Sequence, residues 1–471
     1  MSSNTSSSNL TSSFIDLATY DEPEKYFYGS QDAVSYYVKK LRKSTWFSVA
    51  PTVLSISGGN PGFGQNWGYK ISRAGDYLLR TWLRIQLPQI TLANAPNGWN
   101  LADCSLRYTR NLAHNLIKEI NISFNDLVAE RMDSYYLDFW AAFTIPAGKQ
   151  NGYNNMIGNY AELNDPVAVV GTGNECRTLP AAILNLPLPF FYARDTGIAL
   201  PTAAIPYNDM VHYLTFRDVY EVLIIDNFRL GVSTACLRQN LADPNPQIYC
   251  DMWAEYAIVS NVERSQMGKN ARDMLIEQVQ TAPNQVFNPN NLASFDIRFA
   301  HSIKALFFAI KNKTNPAEQS NYSSASPVPT VNGVNFNPAL SSDPIQQTSL
   351  LYENTARLVN MGSDYFSLMV PYYTAVAIPK ETGYHLLSYT LDLVSTNPMG
   401  STNYGKLTNV SFQFSASADA VTASTAAGTL AAPGNLGPMG APVAQSYQSV
   451  IVGLNMNIVR ISGGALGFPI L

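Results

Sequence analysis

The chain has 471 residues, 46% of them hydrophobic, which is apolar material for a large core and, at roughly 100–200 residues per domain, for two to four domains. Only 14% are charged, against about 25% in an ordinary soluble protein, and 30 Lys+Arg nearly balance 34 Asp+Glu. That balance argues against a dedicated nucleic-acid binder, which carries a basic stripe, and the 42 Asn make an uncharged polar surface suited to packing against neighbours.

Met1 to Leu10 is Ser/Asn-rich, without the basic and apolar stretches of a secretion signal, so a reducing compartment is expected. Residues 1–37 read as an arm, with a short helix opening at Ser13, because Ser13 and Asp16 have capping-box spacing. The basic run Lys39 to Lys43 reads as a solvated or interface-facing part of that region. Period-two alternation then begins, with Leu79, Leu83, Ile85 and Leu87 against Arg80, Arg84 and Gln86, and Ile120, Ile122 and Phe124 against Glu119, Asn121 and Ser123. Each such segment predicts a strand with one buried and one polar face, as in antiparallel sheets. One strong helix is expected from Asp126, where Val128, Met132, Tyr135, Phe139 and Phe143 recur at three- and four-residue spacing. Asn125 would cap it and Pro146 end it.

Further strands are expected at Trp253 to Val259, and at Phe295, Ile297, Phe299 and Ile303 against Asp296, Arg298, Ser302 and Lys304. The same pattern appears at Leu387 to Leu393, Val410 to Phe414 and Val450 to Ile458. Three long loops separate them, Asn154 to Leu179, Lys313 to Gln347 and Ser415 to Gln445, and Lys313 to Gln347 or Ser415 to Gln445 is expected on an outer surface. Ser462 to Gly467 reads as a tight turn in a packed tail.

The chain also repeats itself. Ser134-Tyr135-Tyr136-Leu137 is echoed by Asp364-Tyr365-Phe366-Ser367, Ile145-Pro146 by Ile378-Pro379, and Gly152-Tyr153 by Gly383-Tyr384. Pro201 and Tyr207, six apart before a strand ending at Phe216, match Pro398 and Tyr404 before one ending at Phe414. The order is kept in both halves, which predicts two copies of one module of about eight strands. The expected fold is therefore mainly β: two tandem eight-stranded antiparallel jelly-rolls, with short helices in loops. The expected division is an N-terminal arm at 1–37, a first jelly-roll at 38–262, a linker at 263–273 and a second jelly-roll at 274–471.

No chemistry stands out. Cys104, Cys176, Cys236 and Cys250 lack metal or redox spacing and read as buried thiols, although spacing does not decide whether any pair is bridged. His114, His212, His301 and His385 lie far apart without metal-ligand spacing, and His114, His301 and His385 read as core residues. The glycine-rich run Gly58 to Gly64 lacks a phosphate-loop lysine, and Glu130 with Asp133 reads as a solvated helix face. No catalytic, cofactor-binding or metal-ligating residue is assigned. The residues themselves support no catalytic constellation, and they give a surface suited to packing against neighbours. The alternative is a carbohydrate-binding jelly-roll, a lectin or glycosidase, which needs aromatic and polar groups clustered in space.

Several blocks carry a family likeness: Phe14-Ile15-Asp16-Leu17, His114-Asn115-Leu116-Ile117, Leu137-Asp138-Phe139-Trp140, Leu275-Ile276-Glu277-Gln278, Asn397-Pro398-Met399-Gly400 and Arg460-Ile461-Ser462-Gly463-Gly464. With them the chain resembles the major capsid proteins of the iridoviruses, within the nucleocytoplasmic large DNA viruses. The resemblance implies a non-enzymatic double jelly-roll that forms homotrimers of pseudo-hexagonal outline tiling an icosahedral shell, assembled in the host cytoplasm. It also implies contacts with neighbouring capsomers, with penton and minor capsid proteins, and, through the arm, with the inner viral membrane or its proteins. No cofactor and no sequence-specific nucleic-acid contact is expected.

Overall fold

Sixteen principal strands carry the alternating segments, eight in each half of the chain. The computed structural model describes residues 5–164, 177–227, 232–324, 342–425 and 444–469. Met1–Trp46 is one unit, with helices α1 (Thr5–Ala18) and α2 (Glu22–Phe27), and Phe47–Leu471 is another. Among the described residues, no helix is long and apolar enough to cross a membrane.

The first module contains β1 (Phe47–Val53), β2 (Asn66–Lys70), β3 (Tyr77–Leu87), β4 (Ile117–Phe124), β5 (Leu127–Asp133), β6 (Ala182–Leu188), β7 (Met210–Phe216) and β8 (Tyr249–Val259). Its two main sheets run β1-β8-β3-β6 and β2-β7-β4-β5. The second contains β9 (Arg272–Thr281), β10 (Ala293–Ile297), β11 (Ser302–Asn312), β12 (Ile345–Tyr352), β13 (Thr355–Gly362), β14 (His385–Ser388), β15 (Val410–Ala416) and β16 (Tyr447–Ser462). Its main orders are β9-β16-β11-β14 and β10-β15-β12-β13. Adding eight to each strand number of the first module reproduces the second, and every pairing within these sheets is antiparallel. The fold is two jelly-rolls of one topology. Helix α3 (Leu112–Leu116) precedes β4, and between the modules lies another helix, Asn261–Lys269.

The repeat markers fall on equivalent places. Helix α4 (Ser134–Thr144) follows β5, and the helical turns Tyr365–Met369 and Val370–Thr374 follow β13. Both modules also turn between their fourth and fifth strands with two left-handed residues, Asn125 (φ 49°) with Asp126 (φ 65°) and Glu353 (φ 48°) with Asn354 (φ 63°). Positive φ at both central positions is the hairpin geometry that matches strand twist.

That first turn corrects the helix expected from Asp126. Val128 and Met132 belong to β5, and the helix starts at Ser134, where the Asp133 carboxylate accepts from the Tyr136 N–H at 2.8 Å. Glu130 and Asp133 are consequently not a solvated helix face; Glu130 is buried on a strand. Ser13 does not open its helix but sits inside α1, its hydroxyl bonded to the Asn9 carbonyl. His301 is no strand residue; it occupies a turn at φ 62°. The alternation at Leu387 to Leu393 is a strand only as far as Ser388. Side chains of Ser388 and Asp392 then close local turns, and Leu391 is exposed.

Two bulges explain shifts of face. Leu79 is skipped where β3 pairs with β8, which puts Leu78 rather than Leu79 in the core. Lys304 is skipped where β11 pairs with β16, and it is buried, not on a polar face. Gly463 and Gly464, both at positive φ, make the expected tight turn that returns the tail onto β16. Cys104, Cys236 and Cys250 are buried free thiols, while Cys176 lies outside the described residues.

Candidate functional site: the junction between the modules

The sheet β9-β16-β11-β14 has apolar side chains on both faces. Leu306, Phe308, Ile310 and Ile451 enter the core of their own module. Ala305, Phe307, Ala309, Val450 and Val452 belong instead to a core continuous with the first module. Helix α4 lies against that second face. Phe307 stacks on Phe139 (5.8 Å, 12° between planes) and on Phe143 (5.7 Å, 28°), and meets Tyr136 edge-on at 6.3 Å. A sheet covered on both sides explains why β11 reads as a nearly continuous apolar run.

Three buried polar networks cross this junction. In the first, Asp138 of α4 uses both oxygens: Oδ1 accepts from Asn111 Nδ2 (3.1 Å) and His114 Nδ1 (2.7 Å), and Oδ2 from the hydroxyls of Ser320 (2.6 Å) and Tyr322 (3.0 Å). His114 Nε2 is hydrogen-bonded in turn to the Tyr153 hydroxyl at 2.7 Å. In the second, Arg107 donates to Asp226 (2.6 Å) and to Glu318 (2.8 Å), all three nearly inaccessible.

In the third, Glu277 of β9 accepts from Lys304 Nζ at 2.5 Å and from Arg194, whose guanidinium also reaches the Tyr136 hydroxyl and lies 4.0 Å over the Trp140 ring. Glu130, nearby on β5, accepts one bond from the Phe191 N–H at 2.8 Å, and its second oxygen has no partner among the described residues. Burial pushes its pKa up to about 8, against the opposing pull of Arg194. Lys311 of β11 is also enclosed, donating to Gln319 at 2.7 Å and lying over the Tyr135 ring. Burial, with the Arg217 charge next, lowers it to about 7. Edge strand β5 adds direct contacts: Thr281 donates to Asp133 at 2.8 Å and Gln278 to the Ala129 carbonyl at 2.6 Å.

The loop Lys313 to Gln347, expected on an outer surface, begins differently. Residues 315 and 317–324 are buried in the junction, supplying Glu318, Ser320 and Tyr322 to these networks. Tyr322 packs on Phe139 and Tyr384, and its carbonyl lies where a Cβ on Gly383 would fall, 1.9 Å away. Residues 325–341 and 426–443 lie outside the described residues; between them, helix Ala418–Ser424 buries Ala420 and Ala423. Of the four histidines, His114, His212 and His385 are buried in separate places: His212 bonds the Tyr192 hydroxyl, and His385 bonds Asp343 and Ser363. Among the described residues, no group of three or more His, Cys, Asp or Glu could hold a metal.

The comparisons with known proteins follow the same division into two halves. Residues 35–259 match the family described as major capsid protein N-terminus, and residues 263–467 match the large eukaryotic DNA virus major capsid protein family. The major capsid protein of Costelytra zealandica iridescent virus is 55% identical over 99% of both chains, and that of Frog virus 3 is 41% identical over the full length of both. The chain belongs to the iridovirus major capsid protein family. Among solved structures, the PBCV-1 virus capsid protein superposes with a TM-score of 0.71 at 18% identity, covering 93% of this chain and 100% of that one. The Faustovirus major capsid protein gives 0.69 at 10% identity, covering 92% and 93%. As a member of this family the chain is a structural component of the virion capsid, built with copies of itself, and not an enzyme. In each copy the junction fixes one jelly-roll against the other through a shared core and buried hydrogen bonds.

Sequence reasoning passed over the residues that tie the junction. The available signal was a single charge inside an apolar run: Asp138 within Tyr135 to Phe143, Glu277 after Leu275-Ile276, and Lys304 within Ile303 to Ile310.

Proposed function

We propose that three copies of this chain associate into a capsomer of pseudo-hexagonal outline, and that such capsomers tile the faces of an icosahedral shell. The supporting observation is the duplicated strand order together with the buried junction. Two like barrels held rigidly side by side give six like barrels around a threefold axis. Light scattering on a sizing column tests this. A species at three times the 51.7 kDa chain mass, stable on dilution, is expected, and a stable single-chain mass overturns the trimer.

The division into an arm at 1–37, jelly-rolls at 38–262 and 274–471 and a linker at 263–273 belongs to the same reading. So do neighbouring capsomers, penton and minor capsid proteins as partners, and assembly in the host cytoplasm. The arm is assigned to the inner viral membrane or its proteins. Its α1 exposes Leu10, Phe14 and Leu17, spaced to share one helix face. Removing residues 1–37 should leave the trimer mass unchanged and impair shell formation; normal shells from the truncated chain overturn the assignment.

A further inference from the structure

Between the two modules, beside the Asp138 network, lies an open cleft of about 800 Å³. This is within the range of roughly 300–1,000 Å³ typical of small-molecule sites. One wall is helix α5 (Ala147–Ile157), which serves the protomer's packing poorly. Only Ile157 is buried, and its glycines at 148 and 152 face open space, although each costs about 1 kcal/mol relative to alanine inside a helix.

What α5 offers to the cleft is amide groups. Gln150, Asn151 and Asn154 line it; Gln150 and Asn154 touch at a long 3.5 Å, and the Asn151 side chain makes no hydrogen bond among the described residues. The opposite wall, from the second module, carries Tyr372, 68% exposed. Charge on the walls is sparse: Glu381 pairs with Arg110, the Asp138 carboxylate is taken up by four hydrogen-bond donors, and Lys380 is the one lining lysine without an ion-pair partner among the described residues.

An amide presents a donor beside an acceptor, and a phenol presents an apolar face with a polar tip. Adjacent hydroxyls next to apolar C–H faces answer both. An anion would call for clustered cations, and a lipid chain for an unbroken apolar lining. We propose that this cleft binds a neutral glycan, its hydroxyls on the α5 amides and a ring face on Tyr372.

The test is saturation-transfer NMR of the purified full-length protein with panels of neutral and carboxylate-bearing oligosaccharides. Neutral glycans should bind, and Tyr372→Ala and Asn151→Ala should each weaken binding by up to about tenfold, the loss of one or two modest contacts. Both substitutions should leave the unfolding temperature unchanged, because Tyr372 and Asn151 are exposed. No binding of any neutral glycan, or binding unaffected in both variants, overturns the proposal. So does binding confined to carboxylate-bearing sugars and abolished by Lys380→Met.

Discussion

Replacing Glu277 by leucine removes a carboxylate that contacts both Arg194 and Lys304. All three side chains are 5% exposed or less, so neither cation can turn to water. Breaking a buried pair from one side costs about 3–5 kcal/mol, because the remaining charge is left uncompensated. Two cations are stranded here, but the costs do not add. Arg194 keeps the Tyr136 hydroxyl and the Trp140 face, and Lys304 keeps the Ser395 carbonyl at 2.5 Å. The expected loss is therefore near the top of the single-pair range, about 5 kcal/mol. At about 2.1 cal/mol/K per residue, the unit Phe47–Leu471 has an unfolding entropy of roughly 0.9 kcal/mol/K, so Tm should fall by about 5 °C if it melts as one. Calorimetry at fixed protein concentration measures this, since any oligomer makes Tm concentration-dependent. Adding Lys304→Met to Glu277→Leu removes one stranded charge and should recover part of the loss. A fall of less than 1 °C in the single variant, or no recovery in the double, would refute the assignment of Glu277 as the shared counter-ion.

Phe307→Ala should cost about 3–5 kcal/mol by denaturant melts, because Phe307 is fully buried and stacks on two rings of α4; a loss under 1 kcal/mol would mean the module contact is made elsewhere. Gly383→Ala should reduce the yield of folded protein sharply, since it combines a φ of +95° with a backbone clash on Tyr322, and wild-type yield and Tm would contradict the close approach. For Glu130 the folded pKa, about 8, lies above its ordinary 4.5, so its contribution is fully present below about pH 4.5 and is lost as pH rises through 8, at about 1.4 kcal/mol per pH unit. Glu130→Gln should remove that slope, so that the stability of the variant relative to wild type rises between pH 4.5 and 8; a pH-independent difference would show that Glu130 titrates normally.

The strands were legible because each module has its own interior, and half-buried strands write period two into the sequence. Val410 to Phe414 is such a case, with Val410, Phe412 and Phe414 all in the core and Gln413 only half-buried. Legibility failed where the physics changes over a few residues. The left-handed pair Asn125-Asp126 turns a strand back on itself, yet the apolar residues on either side of Asp133 happen to continue at helical spacing, so strand and helix merged into one pattern. It failed again at β11 and β16, where the second face is covered by another module. A lysine such as Lys304 looks like a solvent marker unless its partner, 27 residues away on another strand, is known. The cleft residues carried no periodic signal, because Gln150 and Tyr372 come from different modules and share only the lining of the cleft.

The junction combines two kinds of contact that do different physical work. Stacked rings and aliphatic side chains supply attraction, but the hydrophobic effect is non-directional and tolerates rotation of one barrel on the other. Asp138 does not tolerate it. Its two oxygens are held by four donors from two segments, α3 with the turn before it on one side and residues 320–322 on the other, so a small rotation would leave buried donors unsatisfied at about 1–3 kcal/mol each. A shell made from many copies requires one angle between barrels, because an angular error in the protomer is repeated at every contact. Asp138→Leu separates attraction from orientation: its fold should survive with the ring stack intact, while assembled sheets viewed by electron microscopy should lose their regular lattice. A variant that melts below wild type yet still forms a regular lattice would show that packing alone fixes the angle.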